Sequence, residues 1–176
     1  FGLILIEFFY GVITKQNNYR INDAITSMSL GLISRFVPIL GLGFQYVVYK
    51  AVAEHYNFNL LNGEEIWVWV TAFVLYDVCY YWMHRIHHEI KVFWATHVVH
   101  HHGEEFNLST ALRQTSTGFL WKWVFFLPLF IIGIPPHIYV AVAGLNMIYQ
   151  FWVHTEHIGR LGFLEYIFVT PSNHRV

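Results

Sequence analysis

Residues 66–102 read IWVWVTAFVLYDVCYYWMHRIHHEIKVFWATHVVHHH, an apolar segment followed directly by a segment rich in histidine. The first 18 residues, Ile66–Met83, are interrupted among clearly polar groups only by Thr71 and Asp77. The next 19 residues, His84–His102, contain seven of the 12 histidines in the chain. A helix that crosses a bilayer needs about 17–25 apolar residues, and the first segment reaches this length. The stretch therefore predicts a membrane helix that carries a cluster of imidazoles to one membrane face.

The whole chain has the composition of a membrane protein. Of its 176 residues, 56% are hydrophobic and 12% are charged, whereas a soluble domain has about 45–50% apolar and about 25% charged residues. The formal net charge of −1 excludes a nucleic-acid binder that relies on a broad basic surface. Because Cys79 is the single cysteine, any metal must be held by histidine together with oxygen ligands.

Four further apolar runs accompany Ile66–Met83. They are Phe1–Ile13, Phe36–Ala53, Gly118–Ile134 and His137–Val153. The second of them is the weakest, because Pro38, Gly41 and Gly43 interrupt it. Several runs near the lower length limit favour an all-α fold, a multi-span integral membrane helical bundle. The alternative is a set of buried helices in a soluble core.

The number of membrane crossings between two loops predicts whether the loops lie on the same face of the membrane. If Ile66–Met83 crosses the membrane and the last two runs cross and return, then His154 and His174 emerge on the same face as His84–His102. Seven basic residues fall on this histidine face: Lys15, Arg20, Arg85, Lys91, Arg113, Arg160 and Arg175. The loops on the other face carry mainly acidic residues: Glu54, Glu64 and Glu65. Because cytoplasmic loops carry an excess of Lys and Arg, we expect the histidine face to be cytoplasmic.

The spacing of five histidines favours a metal site. His84 and His88 are four residues apart, so a helix that continues from Met83 places them on one face. His97, His100 and His101 follow the same rule at i, i+3 and i+4. A lone histidine is usually a surface or hydrogen-bonded residue, but five at this register favour ligands. Neutral imidazole suits Fe, Zn, Cu and Ni.

A polar stripe marks a second region of the same face. Asn146, Gln150 and His154 are each four residues apart on an otherwise apolar segment, and polar groups at membrane depth normally face a cavity or the bundle interior. Hydrogen bonding between helices is the alternative for Asn146 and Gln150. Asp77 would either accept a hydrogen bond from a ligand imidazole or pair with an arginine. Five other histidines stay unassigned: His87, His102 and His157 on this face, and His55 and His137 on the other.

At this point the sequence resembles a known family. Asp77–His102 is similar to the fatty acid hydroxylase / sterol desaturase superfamily, through an HxxxH box (His84, His88) and an HxxHH box (His97, His100, His101). Four segments resemble its alkylglycerol monooxygenase branch: RINDAITS at 20–27, NLSTALRQ at 107–114, QFWVHTE at 150–156 and TPSNHRV at 170–176. The resemblance covers nearly the whole chain. It implies a multi-span membrane oxygenase with a two-metal centre on the cytosolic side.

The resemblance also implies which residues serve the site. The implied metal ligands are His84, His88, His97, His100, His101, His154 and His174. Glu89 matches an acidic position of the branch and is the implied catalytic residue. Two iron ions are implied as cofactors, with tetrahydrobiopterin as the reductant. His174 begins what resembles a second HxxHH box, so we expect two more ligands after Val176. Residues 1–176 alone should therefore bind metal incompletely. We also expect residues 1–176 to form a single domain that is truncated at both ends.

The leading hypothesis is a membrane di-iron monooxygenase that uses O2 to hydroxylate a C–H bond of a lipid drawn from the bilayer, with an alkylglycerol ether lipid as the expected substrate. Iron is preferred because an unactivated C–H bond needs a redox metal and zinc has no redox chemistry. The expected location is the endoplasmic reticulum of a eukaryote or the inner membrane of a bacterium. Three alternatives stay open: a sterol or fatty acid desaturase or hydroxylase of the same superfamily, a membrane metal-binding or transport protein, and a zinc-dependent hydrolase. The electron donor and the oligomeric state stay unassigned.

Overall fold

A computed structural model of the protein describes residues 1–40, 44–61 and 63–175. The regular structure of these residues is helical throughout, which confirms the all-α fold class. The α-helices are α1 (Gly2–Thr14), α2 (Ile21–Leu40), α3 (Phe44–His55), α4 (Ile66–Glu89), α5 (Lys91–His101), α6 (Leu127–Ile132), α7 (Pro136–Trp152) and α8 (Pro171–His174). Short 3-10 segments cover Thr110–Leu112, Gly118–Leu120, Lys122–Phe126 and Gly162–Tyr166. Gly41 and Gly43, predicted to interrupt an apolar run, lie outside the described residues.

Helix α4 joins the apolar run to the first histidine box. It spans 24 residues without a break, so His84 and His88 lie on the predicted continuation of Ile66–Met83. Among the residues that the structure describes, α4 is the one helix long and apolar enough to cross a membrane. Two other apolar helical segments, Gly2–Thr14 and Lys122–Ile132, are shorter. The multi-span topology and the cytoplasmic face of the site therefore stay predictions.

Two segments differ from the sequence interpretation. The run Gly118–Ile134, interpreted as one crossing, is divided into two 3-10 segments and α6. Pro128 lies in the first turn of α6, where its missing N–H is tolerated, and Gly133 ends the helix at φ 111°. The last carbonyls of α6, those of Ile131 and Ile132, accept hydrogen bonds from the backbone N–H groups of Phe58, Leu60 and Leu61. In addition, α2 begins at Ile21, inside the stretch Thr14–Ser27 that the count of crossings treats as a loop on the histidine face.

The described chain packs as two compact units that are interleaved in sequence. Unit 1 comprises Phe1–Arg35, His97–Thr115 and Ile148–Val176, and unit 2 comprises Phe36–Thr96 and Ser116–Met147. A single domain over residues 1–176 stays a prediction.

Unit 2 has an apolar core. Val68, Ala72 and Tyr76 recur every four residues along α4 and are buried, as are Ile138 and Val142 on α7. This spacing places each set on one helical face. Aromatic rings fill the space between the helices, with Tyr49 stacked on Phe130 and Tyr76 stacked on Phe126. Burial of these side chains stabilises the unit by about 1.5–3 kcal/mol for each large one.

Unit 1 has a polar interior. Its buried side chains are mostly polar or charged: Glu7, Asn18, Ser27, Ser34, His97, His100, Asn107, Ser109, Thr110, Arg113, His154, Thr155 and Thr170. Buried polar groups are costly unless they are hydrogen-bonded. A unit that buries so many of them is organised around a site rather than around apolar packing alone.

Candidate metal centre

Three imidazoles from distant parts of unit 1 converge on one point. His100 lies in the last turn of α5, His154 follows the end of α7, and His174 ends α8. The Nε2 atom of His154 lies 3.0 Å from Nε2 of His100 and 3.2 Å from Nε2 of His174. The candidate ligand atoms of this triad all lie within 4.8 Å of one another. His154 and His174 therefore lie beside His100 of the second box, whereas the membrane crossings from which their convergence was predicted stay predictions.

Local sequence explains how His174 is placed. Thr170 accepts a hydrogen bond from the backbone N–H of Asn173, and Pro171 occupies the first helical position. Both features favour the start of a helix. The N–H of His174 closes the single turn on the carbonyl of Thr170 at 2.9 Å. The short helix α8 thus fixes the backbone from which the third imidazole extends.

Hydrogen bonds set the tautomers of two triad members. His100 donates from Nδ1 to the carbonyl of Arg113 at 3.0 Å, and His154 donates from Nδ1 to the carbonyl of Gln150 at 2.7 Å. A neutral ring that is protonated at Nδ1 has a lone pair at Nε2. Two such lone pairs face each other across 3.0 Å. Two neutral rings in this arrangement repel each other unless a cation, either a metal ion or a shared proton, lies between the two nitrogens.

Burial keeps the central imidazole neutral. Burial first, and then the neighbouring imidazoles of His100 and His174, lower the pKa of His154 to about 2. A histidine must be neutral to bind a metal, because the lone pair of the ring is the ligand. The environment of His154 therefore favours the form that a metal requires.

The distances fit a first-row metal. Two imidazole nitrogens that bind one metal at right angles, with bonds of about 2.1 Å, lie about 3.0 Å apart. The two measured separations are 3.0 and 3.2 Å. Imidazole suits iron, zinc, copper and nickel, so the donor set fits iron.

Arg113 holds the first triad member from two directions. Its carbonyl accepts the hydrogen bond from His100, and its guanidinium donates to the carbonyl of Val99 at 3.0 Å. The same guanidinium donates to Asp23 at 2.7 Å and to Ser27 at 3.3 Å, and its side chain is 8% exposed. An arginine with three acceptors in fixed directions is held in place, and with it the carbonyl that accepts from His100 and the carbonyl of Val99, the residue before His100.

Phe106 covers the triad. Its ring is stacked on His154 at 5.6 Å between centroids and lies 6.0 Å from the ring of His174. The loop that carries it is fixed by Asn18, which donates to the carbonyl of Phe106 and accepts a hydrogen bond from Asn107. An apolar ring in this position reduces the access of water to two of the three imidazoles.

The remaining histidines of the boxes form two pairs. In unit 2, the Nε2 atoms of His84 and His88 lie 3.1 Å apart at the end of α4. In unit 1, the Nε2 atoms of His97 and His101 also lie 3.1 Å apart on α5. The prediction that each box presents imidazoles on one helical face is confirmed for these pairs. The remaining histidine of the second box, His100, instead contacts His154.

Glu89 and Asp77 have different surroundings. Glu89, the last residue of α4, pairs with Arg85 at 2.8 Å, and its side chain is 58% exposed. Arg85 also donates to the hydroxyl of Tyr81. Asp77 lies 3.5 Å from the amide of Asn146, a buried residue of α7. Asp77 therefore contacts the polar stripe of α7, and the catalytic role of Glu89 stays a prediction.

Comparison with known proteins identifies the family. The family model described as fatty acid hydroxylase matches residues 69–176. The chain belongs to this family. It is 42% identical over 99% of its length to alkylglycerol monooxygenase of Danio rerio, 41% identical over 99% to that of Homo sapiens, and 33% identical over 97% to that of Caenorhabditis elegans. It spans 39%, 39% and 34% of these curated relatives. No solved structure matches the chain.

Three of the five unassigned histidines have other contacts. His87 is buried and its Nδ1 donates to the carbonyl of Met83 at 2.6 Å. His157 stacks edge-to-face on Tyr10, and His137 lies 2.9 Å from Glu64. His55 and His102 are exposed.

Sequence reasoning missed three residues that shape the surroundings of the triad: Glu7, Phe106 and Arg113. Their partners lie far away in sequence, so no helical or loop spacing reveals them. A charged residue in an apolar run was the one available signal for Glu7. Arg113 and Phe106 lie in or beside the segment 107–114, whose resemblance to the alkylglycerol branch gave no role to either.

Proposed function

We propose that this chain is the histidine-box part of an iron-dependent membrane monooxygenase that hydroxylates an alkylglycerol ether lipid. The observation that carries the proposal is the convergence of three Nε2 atoms: that of His154 lies 3.0 Å from that of His100 and 3.2 Å from that of His174. The relatives support the substrate class, since the three named above are alkylglycerol monooxygenases. The family supports iron rather than zinc.

We propose the seven predicted histidines as ligands of a two-iron centre. The triad would hold one iron, and His84, His88, His97 and His101 would contribute the other histidine ligands. When bound, iron supplies the redox chemistry with O2 that inserts one oxygen atom into a C–H bond. The overall reaction consumes O2, two electrons and two protons and yields a hydroxylated lipid and water. Hydroxylation beside an ether oxygen gives a hemiacetal, which collapses to an aldehyde and a glycerol product.

The residues of unit 1 would prepare the centre for this reaction. Burial keeps His154 in the neutral form that binds metal. The carbonyls of Arg113 and Gln150 hold two imidazoles with Nε2 directed to a common point. The Phe106 ring would limit the access of water to the triad, and exclusion of water suppresses side reactions. Glu89, at the end of α4, is proposed as a catalytic residue by its position alone.

The setting of the reaction is proposed from composition and family. A multi-span bundle with α4 as one crossing would let the alkyl chain of the substrate reach the site from the bilayer. The basic residues of the histidine face support a cytoplasmic site, in the endoplasmic reticulum or a bacterial inner membrane. Tetrahydrobiopterin is the proposed reductant. Residues 1–176 would form part of one hydroxylase domain.

A metal and lipid panel tests the function. We expect membranes that contain the iron-loaded protein to consume O2 and oxidise an alkylglycerol in the presence of a reductant, and the zinc-loaded protein to do neither. The measurement is O2 uptake together with product analysis for an alkylglycerol, a sterol and a free fatty acid. Oxidation of the sterol or the fatty acid with an untouched alkylglycerol would refute the substrate assignment. Full activity with zinc and without O2 consumption would refute the monooxygenase.

Replacement of Phe106 by Ala should uncouple O2 consumption from lipid oxidation. Removing the ring exposes His154 and His174 to water while leaving every imidazole in place, so iron binding should persist. We expect the ratio of lipid product to O2 consumed to fall several-fold. Phe163→Ala is the matched control, because its ring is 73% exposed. An unchanged ratio in Phe106→Ala would show that the ring does not shield the site.

A further inference from the structure

Glu7 is a buried acidic residue in an apolar helix. It is 6% exposed, whereas its helical neighbours Ile6 and Phe9 are 65% and 58% exposed. Its two carboxyl oxygens accept three hydrogen bonds. Burying a carboxyl group among apolar residues is costly unless such partners compensate for the lost water.

All three partners belong to segments that shape or support the triad. The hydroxyl of Thr155, the residue next to His154, donates to Oε1 of Glu7. The backbone N–H of Leu108, two residues after Phe106, donates to Oε2 at 2.8 Å. The hydroxyl of Tyr19 donates to the same oxygen. One carboxyl group thus joins the segment that carries His154 to the loop that carries Phe106.

The chain also holds these segments from other sides. Thr155 accepts a hydrogen bond from the N–H of His157 at 3.3 Å, which closes the turn after His154. Arg175, next to His174, donates to the carbonyls of Glu156 and Ile158 at 3.0 and 3.1 Å. The turn at 155–158 is therefore fixed by α1 through Glu7 and by the end of α8 through Arg175. Burial first, and then the hydrogen bond to Glu7, raise the pKa of Tyr19 well above its ordinary value, so Tyr19 remains a neutral donor.

We infer that Glu7 is a positioning residue of the metal centre. Through Thr155 and Leu108, Glu7 holds His154 and the loop that carries Phe106 in their positions relative to each other. This inference rests on the proposed function, since it assigns Glu7 to the same triad. Groups that orient a metal ligand change metal affinity by about 10–100-fold when they are removed. Glu7 has this role although it lies 147 positions before His154 in the sequence.

The hydroxyl of Thr155 provides the sharpest test. Thr155→Val keeps the shape of the side chain and removes the donor to Glu7, whereas Thr155→Ser keeps the donor. In the membrane-inserted protein we expect Thr155→Val to bind Co²⁺ about 10-fold more weakly and to shift its visible absorption bands. Thr155→Ser should bind like the unchanged protein. Equal affinity and spectra in all three would overturn the inference.

Glu7→Gln is a second test of the inference. An amide keeps one acceptor oxygen and directs an N–H group at a partner that donates to Glu7, so Co²⁺ binding should weaken by about 10-fold. Hydrogen exchange of residues 105–110 should also accelerate, because the N–H of Leu108 loses part of its acceptor. The double variant Glu7→Gln with Thr155→Val should lose less Co²⁺ affinity than the sum of the two single losses, since both variants weaken the hydrogen bond between Thr155 and Glu7. Additive losses would overturn the inference.

Glu54→Gln is the matched control for charge. It removes an acidic group whose partner, Lys50, is 3.8 Å away and exposed, and it should leave Co²⁺ binding unchanged. The two proposals fail differently. If the unchanged protein binds no Co²⁺ at all, then the metal centre and the inference that rests on it are both wrong. If the unchanged protein binds Co²⁺ and oxidises lipid while Thr155→Val matches it, then the inference alone is wrong.

Discussion

Replacement of His154 by Ala should abolish lipid oxidation and metal binding at the triad, while the protein remains inserted in the membrane. His154 is the central member of the triad, with Nε2 contacts to both His100 and His174. Removing a group that merely orients a ligand costs about 10–100-fold, so removing the shared ligand should cost at least about 100-fold in metal affinity. The measurement is iron content per chain together with product formation.

The control for this variant is another histidine outside the triad. His55 is exposed at the end of α3, and the crossing count places it on the opposite membrane face. His55→Ala should therefore retain nearly full activity and metal content. His154→Ala with unchanged iron content and activity would remove His154 from the site. A strong loss in His55→Ala would instead contradict the predicted topology.

The helical register of the histidine boxes could be predicted from sequence because it is local. Four residues make about one helical turn, so the spacing of His84 and His88 and that of His97 and His101 dictate a shared face once the segments are helical. The structure gives both pairs the same separation, 3.1 Å. The return of His154 toward His100 was predicted by counting crossings, although the run used for one crossing, Gly118–Ile134, is not a continuous helix.

The residues that hold the triad in place, such as Glu7 and Arg113, could not be predicted from sequence because their contacts are long-range. Glu7 binds Thr155 and Leu108 across 148 and 101 positions of sequence. Arg113 reaches Asp23 across 90 positions. Periodicity reports which residues share one helix face, and it carries no information about which other segment covers that face. The division of the second box, with His100 directed to His154 and His101 directed to His97, likewise depends on tertiary packing.

Replacement of Asp23 by Ala should lower both the stability of the protein and its metal affinity, although Asp23 is not one of the predicted metal ligands. Its carboxyl group pairs with the Arg113 guanidinium at 2.7 Å, and the two side chains are 13% and 8% exposed. Removing one partner of a buried ion pair leaves the other charge buried and costs about 3–5 kcal/mol. We expect Asp23→Ala to lower the thermal midpoint of the detergent-solubilised protein by several degrees and to weaken Co²⁺ binding.

An exposed ion pair is the matched comparison. Glu104 pairs with Arg20 at the surface, with side chains that are 66% and 62% exposed. Exposed pairs contribute about 0–1 kcal/mol, so Glu104→Gln should change the midpoint little. Equal midpoints for Asp23→Ala and Glu104→Gln would show that burial of the Asp23 pair has no energetic consequence.

The double variant Asp23→Ala with Arg113→Met separates stability from positioning. Replacing both charges with apolar groups removes the uncompensated charge, and such replacements are often neutral in stability. The thermal midpoint should therefore recover. The backbone carbonyl that accepts from His100 is still present, but the carbonyl of Val99 loses the guanidinium donor. If Arg113 orients His100 through that donor, Co²⁺ affinity will stay about 10-fold low although stability returns. Recovery of both would mean that the ion pair acts only on stability.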